Sequence, residues 1–168
     1  MTRNAAVPTD PRLDLVLERV VDAPPALVWA AWTRPEHLRE WFAPKPWRAT
    51  DVEVDLRPGG AFRFRMRGPG GEEHPGSGCY LEVVPNERLV WTSALLAGYR
   101  PAPPSKDGTC AEIVFTAAIH LEPHGEGTRY TVIALHPDPE TARRHADMGF
   151  QEGWGTCLDQ LVALVKGL

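Results

Sequence analysis

The stretch that most constrains the fold is residues 138–166, DPETARRHADMGFQEGWGTCLDQLVALVK. Asp138 is a good N-cap, Pro139 fits the first helical position, and Glu140 complements the positive end of the helix dipole. Lys166 followed by Gly167 is a stop signal. Phe150, Trp154, Leu158, Leu161 and Val165 recur three and four apart and draw one apolar stripe. The pattern predicts a single helix over 138–166. At about 1.5 Å per residue it would be roughly 40 Å long, about the width of a domain of this size. The rest of the chain must then wrap around it. Gly149, Gly153 and Gly155 lie inside the stretch, and each costs about 1 kcal/mol relative to alanine in a helix. Side chains are therefore excluded there, either by close packing on a sheet or by a bound molecule.

Upstream, residues 1–11 read as a loose lead-in and 12–168 as one domain, the count expected for 168 residues. A first strand is predicted over 13–21, with Leu13, Leu15 and Leu17 on one face. Asp22 is the candidate cap of a short helix whose buried side carries Leu27/Ala31 and Val28/Trp32. Thr33 and Glu36 have capping-box spacing and open a second helix with Leu38, Trp41 and Phe42. Alternation then takes over. Val52, Val54 and Leu56 share a face, as do Phe62, Phe64 and Met66, the latter alternating with Arg63, Arg65 and Arg67. The arginines belong to the solvated face. The glycine-rich run 68–78 is predicted as a flexible hairpin loop, and 79–84 with 88–93 as a strand pair. The connection 95–109 is long enough to be a lid. Strands over 111–121 and 129–136, joined by a turn at 122–127, finish the sheet. The fold class is α+β: a curved antiparallel sheet wrapped around a long C-terminal helix, with two short helices after the first strand. A sheet curled round one helix is not filled by it along its whole length, and the remainder becomes a cavity.

The charge of −4 supplies no attraction for nucleic acid or an anionic membrane. No apolar run reaches spanning length and the N-terminus lacks a signal-peptide core, so a cytoplasmic protein is expected. Cys79, Cys110 and Cys157 are scattered and odd in number, which fits reduced thiols. His120 with His124, and His74 with Cys79, fall short of a metal constellation. No phosphate loop or nucleophile elbow occurs, and neither cofactor nor metal is expected. The acid–base candidates are His136, in register with Tyr130, Val132 and Ala134, and His145 and Glu152 on the final helix. A histidine–glutamate pair in an apolar cleft would have separated pKa values. The candidate lining of a small-molecule cavity is aromatic. It comprises Trp41 and Phe42 on the second helix, Phe64, Met66 and Trp91 on the sheet, and Tyr130, Val132 and His136 on the last strand. Phe150, Gly153 and Trp154 complete it from the long helix, and Tyr99, with Arg100, would close its entrance.

The order of these elements, with PPALVWAAWTRPEHLREWF, DLRPGGAFRFRM, YLEVVPNERLVWTS and GTRYTV…GFQEGWGTCLDQL, resembles the START-like (SRPBCC) superfamily. Within it the chain is most similar to the branch named after the activator of the heat-shock protein ATPase, over residues 13–166. The resemblance implies a helix-grip fold with a deep hydrophobic cavity between long helix and sheet. It implies a hydrophobic or aromatic small-molecule ligand, with a cyclase or hydrolase-like enzyme using the same cavity as the alternative. A chaperone or other protein partner is a third reading. The eukaryotic co-chaperones of the branch carry a separate N-terminal domain that has no counterpart in these residues. An apolar sheet edge or helix face would also serve a homodimer.

Overall fold

The computed structural model describes residues 9–103 and 113–168. Strand β1 (Asp14–Val21) precedes two short helices, α1 (Pro25–Thr33) and α2 (Pro35–Trp41). Then come β2 (Arg48–Val54), β3 (Ala61–Arg67), β4 (Glu73–Val84) and β5 (Arg88–Thr92). A small ribbon of β6 (Leu95–Leu96) and β7 (Arg100–Pro101) encloses a 3-10 turn. The chain ends with β8 (Thr116–His124), β9 (Gly127–Leu135), α3 (Pro139–Asp147) and α4 (Phe150–Lys166). Seven strands form one antiparallel sheet in the order β1-β9-β8-β5-β4-β3-β2.

One face of that sheet is the core. Across it, Leu17 stands opposite Val132, Val132 opposite Ile119, and Ile119 opposite Leu89. One step along, Ala134, Ala117, Trp91 and Tyr80 form a second row. Helices α1, α2 and α4 close over these rows with Val28, Trp32, Leu38, Trp41, Leu158 and Leu161, all buried. Gln160 ties α4 to the end of α2: its side-chain amide donates to the carbonyls of Trp41 (3.1 Å) and Ala43 (2.8 Å) and accepts from the Lys45 backbone N–H (2.9 Å).

The terminal helix is not continuous. Gly149 has φ +93°, which stops α3, and α4 begins at Phe150. A left-handed residue terminates a helix, and glycine adopts that conformation without a Cβ clash. The remaining 17-residue helix is about 25 Å long. The start of α3 is as expected, with Asp138 Oδ1 accepting from the Thr141 N–H at 2.7 Å. The other two predicted caps are absent. Pro24 and Arg34 occupy the N-cap positions of α1 and α2 without side-chain hydrogen bonds, and the Thr33 hydroxyl donates to the Trp29 carbonyl at 2.8 Å. A proline at the first helical position removes an orphan donor and presets φ, so the side-chain cap is dispensable.

Most of the run read as a loop over 68–78 is strand. β4 begins at Glu73, and its Gly76 and Gly78 face Phe64 and Phe62 across the ladder. A Cβ on Gly76 would collide with the Phe64 ring, and one on Gly78 would meet the Thr92 carbonyl at 2.7 Å with Trp91 beside it. These glycines make room for rings laid over the strand, a use that composition does not distinguish from a loop. Likewise the 122–127 turn shrinks to two residues between β8 and β9. In β2 a bulge at Asp51 (φ +51°) brings Ala49 and Val52 to the buried side, and Leu56 lies beyond the strand, exposed. Arg63 pairs with Glu53, and Arg65 and Arg67 with Asp51 and Glu73. Such exposed pairs contribute about 0–1 kcal/mol each. Residues 1–8 of the lead-in, Cys110 and the stretch 104–109 of the long connection lie outside the described residues.

Candidate functional site

Between the sheet and α4, five aromatic rings meet in a closed circuit. Trp32 of α1 contacts Phe42 (centroids 5.5 Å apart), Phe42 contacts Trp91 of β5 (6.5 Å), and Trp91 contacts Phe115 (5.6 Å). Phe115 then contacts Trp154 of α4 (6.2 Å), which stacks back on Trp32 (6.3 Å). These separations and mostly edge-to-face tilts suit the ring quadrupoles. Phe62 and Phe64 extend the circuit over β3 through Phe42. On the β8–β9 side of Trp91 the sheet row carries only methyl groups, Ala117 and Ala134. Trp154, Phe64 and Phe115 are half-buried, whereas Trp32, Phe42 and Trp91 are buried. At Gly153, one residue before Trp154, an added Cβ would meet no atom within 4 Å.

Polar groups enter this interior at two places. Tyr80 and Trp91 stand opposite each other in β4 and β5, and Phe62 contacts both rings. Tyr80 Oη and Trp91 Nε1 are sealed from solvent with no hydrogen-bond partner among the described residues, and burial pushes the Tyr80 hydroxyl well above its usual pKa. The second place is the end of β9. His136 and His145 are 7% and 8% exposed. His136 Nδ1 lies 2.7 Å from the Leu13 carbonyl oxygen, and its Nε2 lies 2.8 Å from His145 Nδ1. Burial first, and the charge of His136 second, pull His145 down to about 4. The His145 ring packs on Phe115 at 4.8 Å and on Phe150 at 5.2 Å, beside the circuit.

The sequence-derived candidates divide accordingly. Trp41, Tyr130, Val132 and Phe150 are buried core. Trp41 Nε1 donates to the Ala31 carbonyl (2.9 Å), and Tyr130 Oη accepts from Trp32 Nε1 (2.9 Å). Phe42, Phe64, Trp91 and Trp154 belong to the aromatic assembly, Met66 is half-buried and packs against the core, and Gly153 is half-buried. Tyr99 is 51% exposed, and its ring lies over Gly59 in the β2–β3 turn. His136 and His145 meet; Glu152 is exposed and contacts neither. Trp32, Phe62, Tyr80 and Phe115 were missed. For Phe62 the signal was present, since it alternates in phase with Phe64. Phe115 precedes β8, but within the strand predicted over 111–121 it alternates in phase with Ala117 and Ile119.

No cluster of metal-ligating side chains occurs among the described residues, nor a helix long and apolar enough to cross a membrane. Cys79 and Cys157 are free thiols, and burial pushes Cys157 up to about 12. An open cleft of about 280 Å³ lies at the other end of β1, lined by Val20, Val21, Asp22, His124, Glu126 and Gly127. It holds no aromatic ring.

A family model described as Activator of Hsp90 ATPase homolog 1-like protein matches residues 22–166. Among solved structures, a Nitrosomonas europaea protein is 49% identical, with a TM-score of 0.88 over 95% of this chain and 97% of its own. A Mycobacterium smegmatis protein is 27% identical, with a TM-score of 0.74 over 91% and 90% of the two chains. A Rhodobacter sphaeroides protein, 21% identical over 96% and 97% of the chains with a TM-score of 0.79, shares the fold. No curated protein matches the chain.

Proposed function

The chain belongs to the Activator of Hsp90 ATPase homolog 1-like family, and from that premise we propose that it binds a small hydrophobic or aromatic molecule between the sheet and α4. The observation that carries this reading is the closed aromatic circuit, with a helix glycine in open space, Gly153, next in sequence to its Trp154. Alanine at position 153 would be better by about 1 kcal/mol in a helix, so the glycine there keeps side-chain volume out of that position at a cost. Rings that meet edge to face offer stacking faces and edges to another ring. The unpartnered Tyr80 Oη and Trp91 Nε1 support the reading, since such groups cost about 1–3 kcal/mol each unless something supplies a partner. Burying about 200 Å² of ligand surface would contribute roughly 5 kcal/mol before ordering costs.

The test is native mass spectrometry of the purified protein, then thermal-shift screening with naphthalene-sized aromatic probes and fatty acids. A bound molecule at one hundred times its Kd stabilises by about 2.7 kcal/mol. Gly153→Leu should abolish that shift while leaving the ligand-free protein at least as stable, because leucine is the better helix former. No co-purifying molecule and no probe-induced shift would sink the proposal.

A further inference from the structure

We propose that the molecule held in this interior is an aromatic ketone or a close equivalent, a ring bearing a neutral acceptor whose oxygen takes the indole N–H of Trp91 and the hydroxyl of Tyr80. The inference rests on the ligand-binding reading and adds to it the chemical class of the ligand. Tyr80 is fully buried and Trp91 is 3% exposed. Their polar atoms, Oη and Nε1, are sealed from solvent with no hydrogen-bond partner among the described residues. The two residues stand opposite each other in β4 and β5, so their side chains leave the sheet side by side on its core face. Phe62 touches both rings, at 5.5 Å and 5.0 Å between centroids, and Trp91 is itself a member of the aromatic circuit. The other two buried indoles of this core are satisfied: Trp32 Nε1 donates to Tyr130 Oη and Trp41 Nε1 to the Ala31 carbonyl, each at 2.9 Å. The bare donors are thus confined to one pair, and a buried group without a partner calls for one.

These donors fix the polarity of the ligand. An indole N–H can only donate. Burial raises the pKa of the Tyr80 hydroxyl, so it keeps its proton and has one to give. Two donors call for lone pairs, and a carbonyl oxygen offers two with no proton of its own to place. An ammonium group would set N–H against N–H. A carboxylate would accept, but it would carry a charge into an interior of hydrophobic side chains, where an unpaired charge costs far more than a neutral carbonyl. The aromatic neighbours of Trp91, which include Phe42, Phe62 and Phe115, favour an acceptor borne on a ring. Because both polar atoms are sealed, the acceptor reaches them by displacing a ring, and Phe115, half-buried against Trp91, is the neighbour with solvent on one side.

The experiment compares 2-acetonaphthone with 2-isopropenylnaphthalene, in which a carbon–carbon double bond replaces the carbonyl at nearly the same size, on the full chain. Wild type should bind the ketone about tenfold more tightly, the effect of one buried donor gaining a partner. The infrared carbonyl stretch of the bound ketone should lie at lower frequency than in hexane. In Tyr80→Phe and in Trp91→Phe, each of which keeps an aromatic ring, the preference for the ketone should fall about threefold or more and the carbonyl band should move back. If Trp91→Phe fails to fold, wild type and Tyr80→Phe decide, since the latter gives up no hydrogen bond among the described residues. Equal affinities in wild type, or a preference that is unchanged in either folded variant, would overturn the acceptor inference and leave ligand binding standing. Binding of neither probe overturns both.

Discussion

Tyr80 and Tyr130 carry the same hydroxyl into the same interior under opposite circumstances. Tyr130 Oη accepts from Trp32 Nε1 at 2.9 Å, whereas Tyr80 Oη has no partner among the described residues. Burial raises the pKa of both, so both stay protonated. Tyr130→Phe should cost about 1–2 kcal/mol, because it strands the indole N–H of Trp32. Tyr80→Phe should be neutral or stabilising by up to about 1 kcal/mol, because it removes a desolvated group that gains nothing in the unliganded protein. Urea unfolding of the two variants reads the difference directly, and a large loss in Tyr80→Phe would show that its hydroxyl is satisfied. His145 makes the second residue-scale prediction. Its pKa is about 4 in the folded protein against 6.5 in the open chain, so between those values only the unfolded state takes up the proton. The contribution is complete above about pH 6.5 and is lost as pH falls toward 4, on the order of 2 kcal/mol. His120, lowered by burial and by the charge of Arg88, acts with the same sign. Unfolding free energies at about pH 5 and pH 7 should differ less in His145→Phe than in wild type; an unchanged difference would exclude His145 as the source.

At the scale of elements, glycine decides the course of the last third of the chain, and two glycines four residues apart do opposite things. Gly149 is left-handed, so Gly149→Ala should destabilise by about 1–2 kcal/mol. Gly153 has ordinary helical geometry and open space around it, so Gly153→Ala should stabilise by about 1 kcal/mol. Thermal denaturation of the pair checks both signs together; a stabilising Gly149→Ala would mean that α3 and α4 can join. Before the fold was known these residues looked alike, since composition reports a glycine but not its φ. Gly76 and Gly78 raise the same difficulty. The strand that holds them is readable only once Phe64 and Trp91 are known to lie across it. The elements that were legible announce themselves by local chemistry: the Asp138 cap, the proline-led short helices, and the Phe62–Met66 alternation that places rings inside and arginines outside.

At the scale of the molecule, the wrapped antiparallel sheet and the C-terminal helix were readable because the order of periodicities, two and then 3.6, admits few two-layer arrangements. The aromatic residues of the site were partly readable for the same reason, since a ring in phase with a buried stripe must point inward. The circuit itself was not. Its members come from α1, the end of α2, β5, the start of β8 and α4, and their contacts depend on register and helix docking, which no local window contains. The His136–His145 relay belongs to both sides of this division. Sequence alone offered both histidines as acid–base candidates, one at the end of the last strand and one on the final helix. Only the tertiary structure decided that they touch, that the Leu13 carbonyl sets the proton on His136, and that Glu152 turns outward. Patterning along the chain thus determined most of the residues that are inside and the order of the elements, though not every boundary between them. Which inside residues meet was left to packing, because a contact between residues distant in sequence is a property of the closed sheet and not of any segment in it.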